Sequence, residues 1–150
     1  MKRTLVTLIG ILGIALQTMA GMPANVLAQV KAKAARDFPD DYSTQKYVLQ
    51  TEQQAYTQVE SYRDSRVPQA VLSKLKAKAA SDFPLDFSTQ KYVLDTECTA
   101  YVQVKNYSAQ GIPAATLQRI MQKAASDFPN DFSTQKYVID TEVSAYKDMN

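Results

Sequence analysis

Histidine and tryptophan are absent from this chain of 150 residues, cysteine occurs once and glycine four times. Without an imidazole there is no histidine general base, no catalytic triad built on one and no histidine-ligated metal. The lone Cys98 closes no intrachain disulfide. Gly10 and Gly13 fall in an apolar N-terminal run, which leaves too few glycines elsewhere for a phosphate-cradling loop. An excess of one charge is also lacking: 17 Lys and Arg face 15 Asp and Glu, and Lys2 and Arg3 account for the difference. No basic stripe remains to neutralise a phosphate backbone, so nucleic acid is not an expected partner.

The one extended apolar run covers residues 5–16. It is about a dozen residues long, too short to span a bilayer as a stable helix. It follows Met1, Lys2 and Arg3 and closes on Gln17, Thr18, Met19 and Ala20. A basic start, a short apolar stretch and a small-residue end describe a secretory signal peptide. The expectation is a signal at 1–20, cleaved after Ala20 with Ala24 as the alternative site. The mature chain 21–150 is then secreted or periplasmic, with no transmembrane segment and no net side-chain charge.

What the chain does contain is one statement made three times. The motif Asp-Phe-Pro-x-Asp-Phe-Ser-Thr-Gln-Lys-Tyr at 82–92 returns at 127–137, and at 37–47 with Tyr42 in place of the second Phe. The period is 45 residues, and 78–97 matches 123–142 at 18 of 20 positions. A fixed period of this length marks a repeat architecture. The units are too short to be separate domains, so 21–150 reads as a single domain of three repeats, 22–66, 67–111 and 112–150.

Each unit reads as a helical hairpin. Pro23, Pro68 and Pro113 suit the first position of a helix, where the missing N–H has no intrahelical partner. Pro68, Leu72, Leu75, Ala79 and Phe83 then follow at steps of three and four, an apolar stripe with Phe83 expected deep in the core. Pro84 ends that helix by keeping its predecessor out of the α region. Ser43, Ser88 and Ser133 are the expected N-caps of the second helices. Tyr42–Tyr47, Phe87–Tyr92 and Phe132–Tyr137 have the spacing of hydrophobic staples across those caps. Val93, Thr96, Ala100, Val104 and Tyr107 continue the second apolar face, and Gly111 is the expected helix stop. Helices are predicted over 23–38, 44–62, 68–83, 89–107, 113–128 and 134–146. The fold class is all-α: three tandem 45-residue helical hairpins, forming a short α-solenoid in preference to a compact six-helix bundle.

Charges recur in places that are locally unfavourable. Asp37, Asp82 and Asp127 lie at the negative end of the first helices, and Lys46, Lys91 and Lys136 at the positive end of the second. Tertiary ion pairs between these groups or across units are the expected remedy, with Asp41, Asp86 and Asp131 as additional caps. A polar stripe borders each second helix: Gln45, Lys46, Glu52 and Tyr56; Gln90, Lys91, Glu97 and Tyr101; Gln135, Lys136, Glu142 and Tyr146. These are the candidate binding residues, and packing between units is the competing use of them.

Enzymatic and metal sites find little support. Asp86 and Glu97 would stand roughly 16 Å apart along a helix, outside either glycosidase geometry. Leu85 and Asn130 replace Asp40 in the acidic cluster, and the glycine of a calcium loop is missing. No catalytic residue, metal or cofactor is expected. The function expected is that of an exported, non-enzymatic interaction module that binds another protein or an extracellular or periplasmic ligand. The alternative is a small-ligand or carbohydrate binder with one Gln-Glu-Tyr site per repeat. Cys98 has Gln53 and Val143 as counterparts, so it reads as a surface thiol outside the repeated design, with a dimer through Cys98 as its one functional use.

Overall fold

The computed structural model describes residues 21–149. The signal expectation for 1–20 lies outside the described residues. Six helices follow in order: α1 (Ala24–Asp37), α2 (Tyr42–Ser61), α3 (Gln69–Asp82), α4 (Phe87–Lys105), α5 (Ala114–Asp127) and α6 (Phe132–Asp148). No strand occurs among the described residues. Every boundary falls within two residues of the sequence expectation.

The first helix of each unit is entered through proline. Pro23, Pro68 and Pro113 occupy the cap itself, with φ −56°, −56° and −57°, and their carbonyls accept from Leu27, Leu72 and Leu117 N–H at 2.9, 3.0 and 3.0 Å. Phe38, Phe83 and Phe128 close these helices, and a turn follows in which the Asp41, Asp86 and Asp131 N–H groups bond back to the Phe carbonyls at 3.3, 3.2 and 3.2 Å. Proline at the second turn position and a positive φ at the third define a type II pattern. The third residue is Asp40, Leu85 or Asn130, at φ 60°, 62° and 60°. Asp and Asn tolerate that region, whereas leucine there is strained.

Three local expectations are corrected. The second helices start two residues early, so Asp41, Asp86 and Asp131 are the caps, accepting from Thr44, Thr89 and Thr134 N–H at 3.0, 2.9 and 3.0 Å. Ser43, Ser88 and Ser133 therefore sit inside the first turn. The staples do not form: Tyr47, Tyr92 and Tyr137 are 69, 69 and 70% exposed. Gly111 does not stop α4, which already ends at Lys105; at φ 79° it turns the connection toward α5.

Within each unit the two helices pack as a hairpin, and between units α2 packs on α4 and α4 on α6. The second helices thus form a row with α4 at its centre, and each first helix rests on its own partner. Among the described residues α2 and α6 share no extensive contact, as a linear order of units requires.

The core is concentrated where units meet. Val59 and Val67 of the first joint pack with Leu72, Leu75, Leu94 and Cys98, and Ala124, Ile139 and Val143 anchor the second. Leu94 and Ile139 are fully buried because α4 meets α2, α3 and α6, and α6 meets both α4 and α5; the sequence stripe through Val93 and Ala100 describes only one such contact. Cys98 is buried with no exposed surface, not a surface thiol, and the same burial pushes its thiol pKa up. A disulfide to a second copy would require the α2–α4 joint to open, so a dimer through Cys98 is not supported by this packing. Phe83 is 36% exposed, not deep in the core, because it follows the last helical turn and leaves the stripe.

Candidate functional site: the joints between units and the outer tyrosine face

Gln45, Gln90 and Gln135 turn inward within their own hairpins. Their amides donate to the Phe38, Phe83 and Phe128 carbonyls at 2.8, 2.8 and 2.7 Å. Each carbonyl already accepts the turn N–H, so the glutamine saturates its second lone pair and pins the start of the second helix to the end of the first.

Glu52 and Glu97 reach across to the next unit. Glu52 accepts from Phe87 N–H at 2.6 Å, Ser88 N–H at 3.1 Å and the Ser88 hydroxyl at 2.6 Å. Glu97 repeats this on Phe132 N–H at 2.6 Å, Ser133 N–H at 3.3 Å and the Ser133 hydroxyl at 2.5 Å. Both carboxylates are buried, and each meets the positive end of the following second helix. The cap of each internal second helix is therefore completed by a residue of the preceding unit, 35–36 positions upstream.

Aromatic contacts complete each joint. The Tyr56 ring stands edge-on to Phe87 with centroids 5.1 Å apart, and Tyr101 meets Phe132 at 5.0 Å. Such pairs add roughly 0.5–1.5 kcal/mol beyond their buried area. The Tyr62 and Tyr107 hydroxyls donate to Asp95 and Asp140 at 2.9 Å each. Lys91 and Lys136 lie over the same two rings, 5.2 and 5.3 Å from the centroids, and pair with the same two aspartates. Burial, helped by the aspartate contact, pushes the Tyr107 phenol up to about 12 and the Tyr62 phenol higher still, so both remain hydrogen-bond donors at ordinary pH.

The repeated charges are satisfied differently from the expectation. Asp37, Asp82 and Asp127 pair one turn back with Lys33, Lys78 and Lys123 at 2.8, 2.5 and 2.5 Å, not with the second-helix lysines. A cation in the same last turn offsets the unfavourable carboxylate, and no tertiary partner is needed. Lys46 has Gln50 four residues on, where Lys91 and Lys136 have Asp95 and Asp140.

The structure thus brings Glu52 with Tyr56 and Glu97 with Tyr101 into the joints, keeps the three glutamines inside their own hairpins, places Lys91 and Lys136 over the tyrosines of the preceding unit, and leaves Glu142 and Tyr146 at the end of unit three. Glu142 is exposed and has no hydrogen-bond partner among the described residues. With Tyr146 it lines a cleft of about 350 Å³ that also includes Ile120, Lys123 and Val138.

Tyr47, Tyr92 and Tyr137, assigned above to staples, stand instead on the outer face of the second helices. At about 100° per residue, Tyr92, Thr96, Thr99 and Gln103 share one side of α4 and Leu94 lies nearly opposite. That spacing was readable in the sequence. A groove of about 470 Å³ between α4 and α6 is lined by Tyr92, Thr96, Thr99, Gln103, Ser133 and Lys136.

Carboxylates from neighbouring units do converge. Glu52 and Asp86 both accept from the Ser88 hydroxyl, at 2.6 and 3.1 Å. Their remaining bonds go to backbone N–H groups, so the geometry is that of a double helix cap. No cluster of three or more metal-ligating side chains occurs among the described residues, and no described helix is long and apolar enough to cross a membrane. No family model matches this chain, and neither a curated protein nor a solved structure matches it.

Proposed function

We propose that this chain is an exported, non-enzymatic interaction module that binds a partner protein along the outer face of its second helices. The observation that supports this is the row of Tyr47, Tyr92 and Tyr137. One repeat position carries the same large ring three times, each about 70% exposed, although burial would be the packing use of such a ring. Tyrosine combines a wide apolar face with a hydroxyl and loses little conformational freedom on binding, which suits recognition surfaces. Neighbouring second helices pack with their axes roughly 8–10 Å apart, so the rings recur once per unit along the row. An extended partner segment can therefore meet one ring per unit. The export element of the proposal rests on the signal pattern at 1–20.

The test places a photoreactive benzoyl-phenylalanine at 47, 92 or 137 in the producing cells, with position 122 on α5 as control. Covalent protein adducts at the tyrosine positions and none at the control support the reading. Adducts equal at all four positions, or absent from the three, refute it. The carbohydrate alternative moves to the α4–α6 groove, since Glu52 and Glu97 already hold three hydrogen bonds each. It predicts retention on a glycan array that a Tyr92→Ser change abolishes.

A further inference from the structure

The two joints inside the chain are near copies of each other, and each has a donor side and an acceptor side. The donor side is a glutamate and a tyrosine one turn apart on a second helix: Glu52 with Tyr56, Glu97 with Tyr101. The acceptor side is the aromatic-Ser-Thr start of the next second helix, Phe87-Ser88-Thr89 or Phe132-Ser133-Thr134. Unit three presents a donor side at its outer end, with Glu142 and Tyr146 lining a cleft of about 350 Å³. Unit one presents an acceptor side at the opposite end, where Tyr42 is 74% exposed and Ser43 receives no glutamate from any described residue. From this complementarity we infer that the protein associates head to tail with a second copy of itself. The Tyr42-Ser43-Thr44 turn of one molecule seats in the Glu142–Tyr146 cleft of the next.

The contacts follow from the internal joints. Glu142 accepts from the Tyr42 and Ser43 N–H groups and from the Ser43 hydroxyl, and the Tyr42 ring meets Tyr146. Charge also agrees. Lys78 lies near enough to Asp131 across the second joint for each to favour the other's charged form, and Lys123 and Asp41 are their counterparts at the two ends of the described row. The contact between molecules is weaker than the joints within one. Gln50 stands where Asp95 and Asp140 accept a tyrosine hydroxyl, and Gln53 where Cys98 and Val143 enter the core. The interface is heterologous, so association continues past two copies, as an open row or a closed ring.

Sedimentation velocity over a concentration series of the purified protein tests this, with Glu142→Ala and Tyr42→Ala as variants, since both side chains are exposed and leave the fold intact. The expected result is an average mass that rises steadily with concentration, with each variant's association weakened at least about tenfold. An equimolar mixture of the two variants should restore a species of two chains that grows no further, because each variant keeps one sound end. A wild type that stays monomeric up to millimolar concentration overturns the inference. So does a mixture that forms no dimer, or a wild-type series that stops at two.

Discussion

Replacing Glu97 by Gln keeps the side-chain volume and removes the charge and one acceptor. Glu97 is 8% exposed and holds Phe132 N–H, Ser133 N–H and the Ser133 hydroxyl at 2.6, 3.3 and 2.5 Å. A glutamine offers a single carbonyl oxygen, and its amide group then points at donors. Hydrogen bonds to a charged group contribute about 1.5–3 kcal/mol against about 1 for neutral ones. A carboxylate at a helix N-terminus adds roughly 0.3–1 kcal/mol. The net loss is therefore about 2 kcal/mol, which for a fold of this size lowers the melting temperature by roughly 6–8 °C. Glu52→Gln should match it, because Glu52 makes the same three bonds. Glu142→Gln should leave stability unchanged at protein concentrations where the chain is monomeric, because Glu142 is exposed with no hydrogen-bond partner among the described residues. Thermal and urea unfolding followed by circular dichroism measure all three. Unchanged melts for the two internal variants, or an equal loss for Glu142→Gln, would refute the joint.

Asn130 sits at φ 60°, so Asn130→Val should cost about 1–2 kcal/mol in urea unfolding while Asn130→Gly stays near neutral. Cys98 should resist a disulfide-exchange reagent in the native protein and react fully in denaturant, because it is buried with a raised pKa; Cys98→Val, copying Val143, should cost less than about 1.5 kcal/mol. The Thr44 hydroxyl and then its N–H hold Asp41 at about 2, below the usual 3.8. With a depressed folded-state pKa, the contribution of this cap is complete above pH 3.8 and is lost as pH falls through about 2, so Asp41→Asn should flatten that part of the acid unfolding curve.

The helices and their order were legible because proline, helical spacing and a 45-residue period all act locally. The joints were not, since Glu52 finds Ser88 only after two hairpins stack, 36 residues along the chain. Their trace in the sequence lies in the exceptions to the repeat. Gln50 stands where Asp95 and Asp140 accept the Tyr62 and Tyr107 hydroxyls, and among the described residues no preceding unit supplies a tyrosine to donate one. The same logic applies to Cys98. Gln53 is polar where no described unit precedes it, whereas Cys98 and Val143 are apolar where one does, which marks the position as buried. Phe83 was misplaced because its spacing continues the stripe while its backbone has already left the helix, at φ −129°. The exposure of Tyr92 follows from the early start of α4, which turns Phe87 toward Tyr56 and leaves Tyr92 without a partner ring.

The central claim is that a glutamate on one second helix and a serine at the start of the next form one unit of structure. A double-mutant cycle measures that directly, using Glu97→Ala, Ser133→Ala and the double variant in urea unfolding. The account predicts a coupling of about 1 kcal/mol or more, because either single variant already removes the whole bond between the Ser133 hydroxyl and the buried Glu97 carboxylate. Additivity within about 0.3 kcal/mol would contradict it.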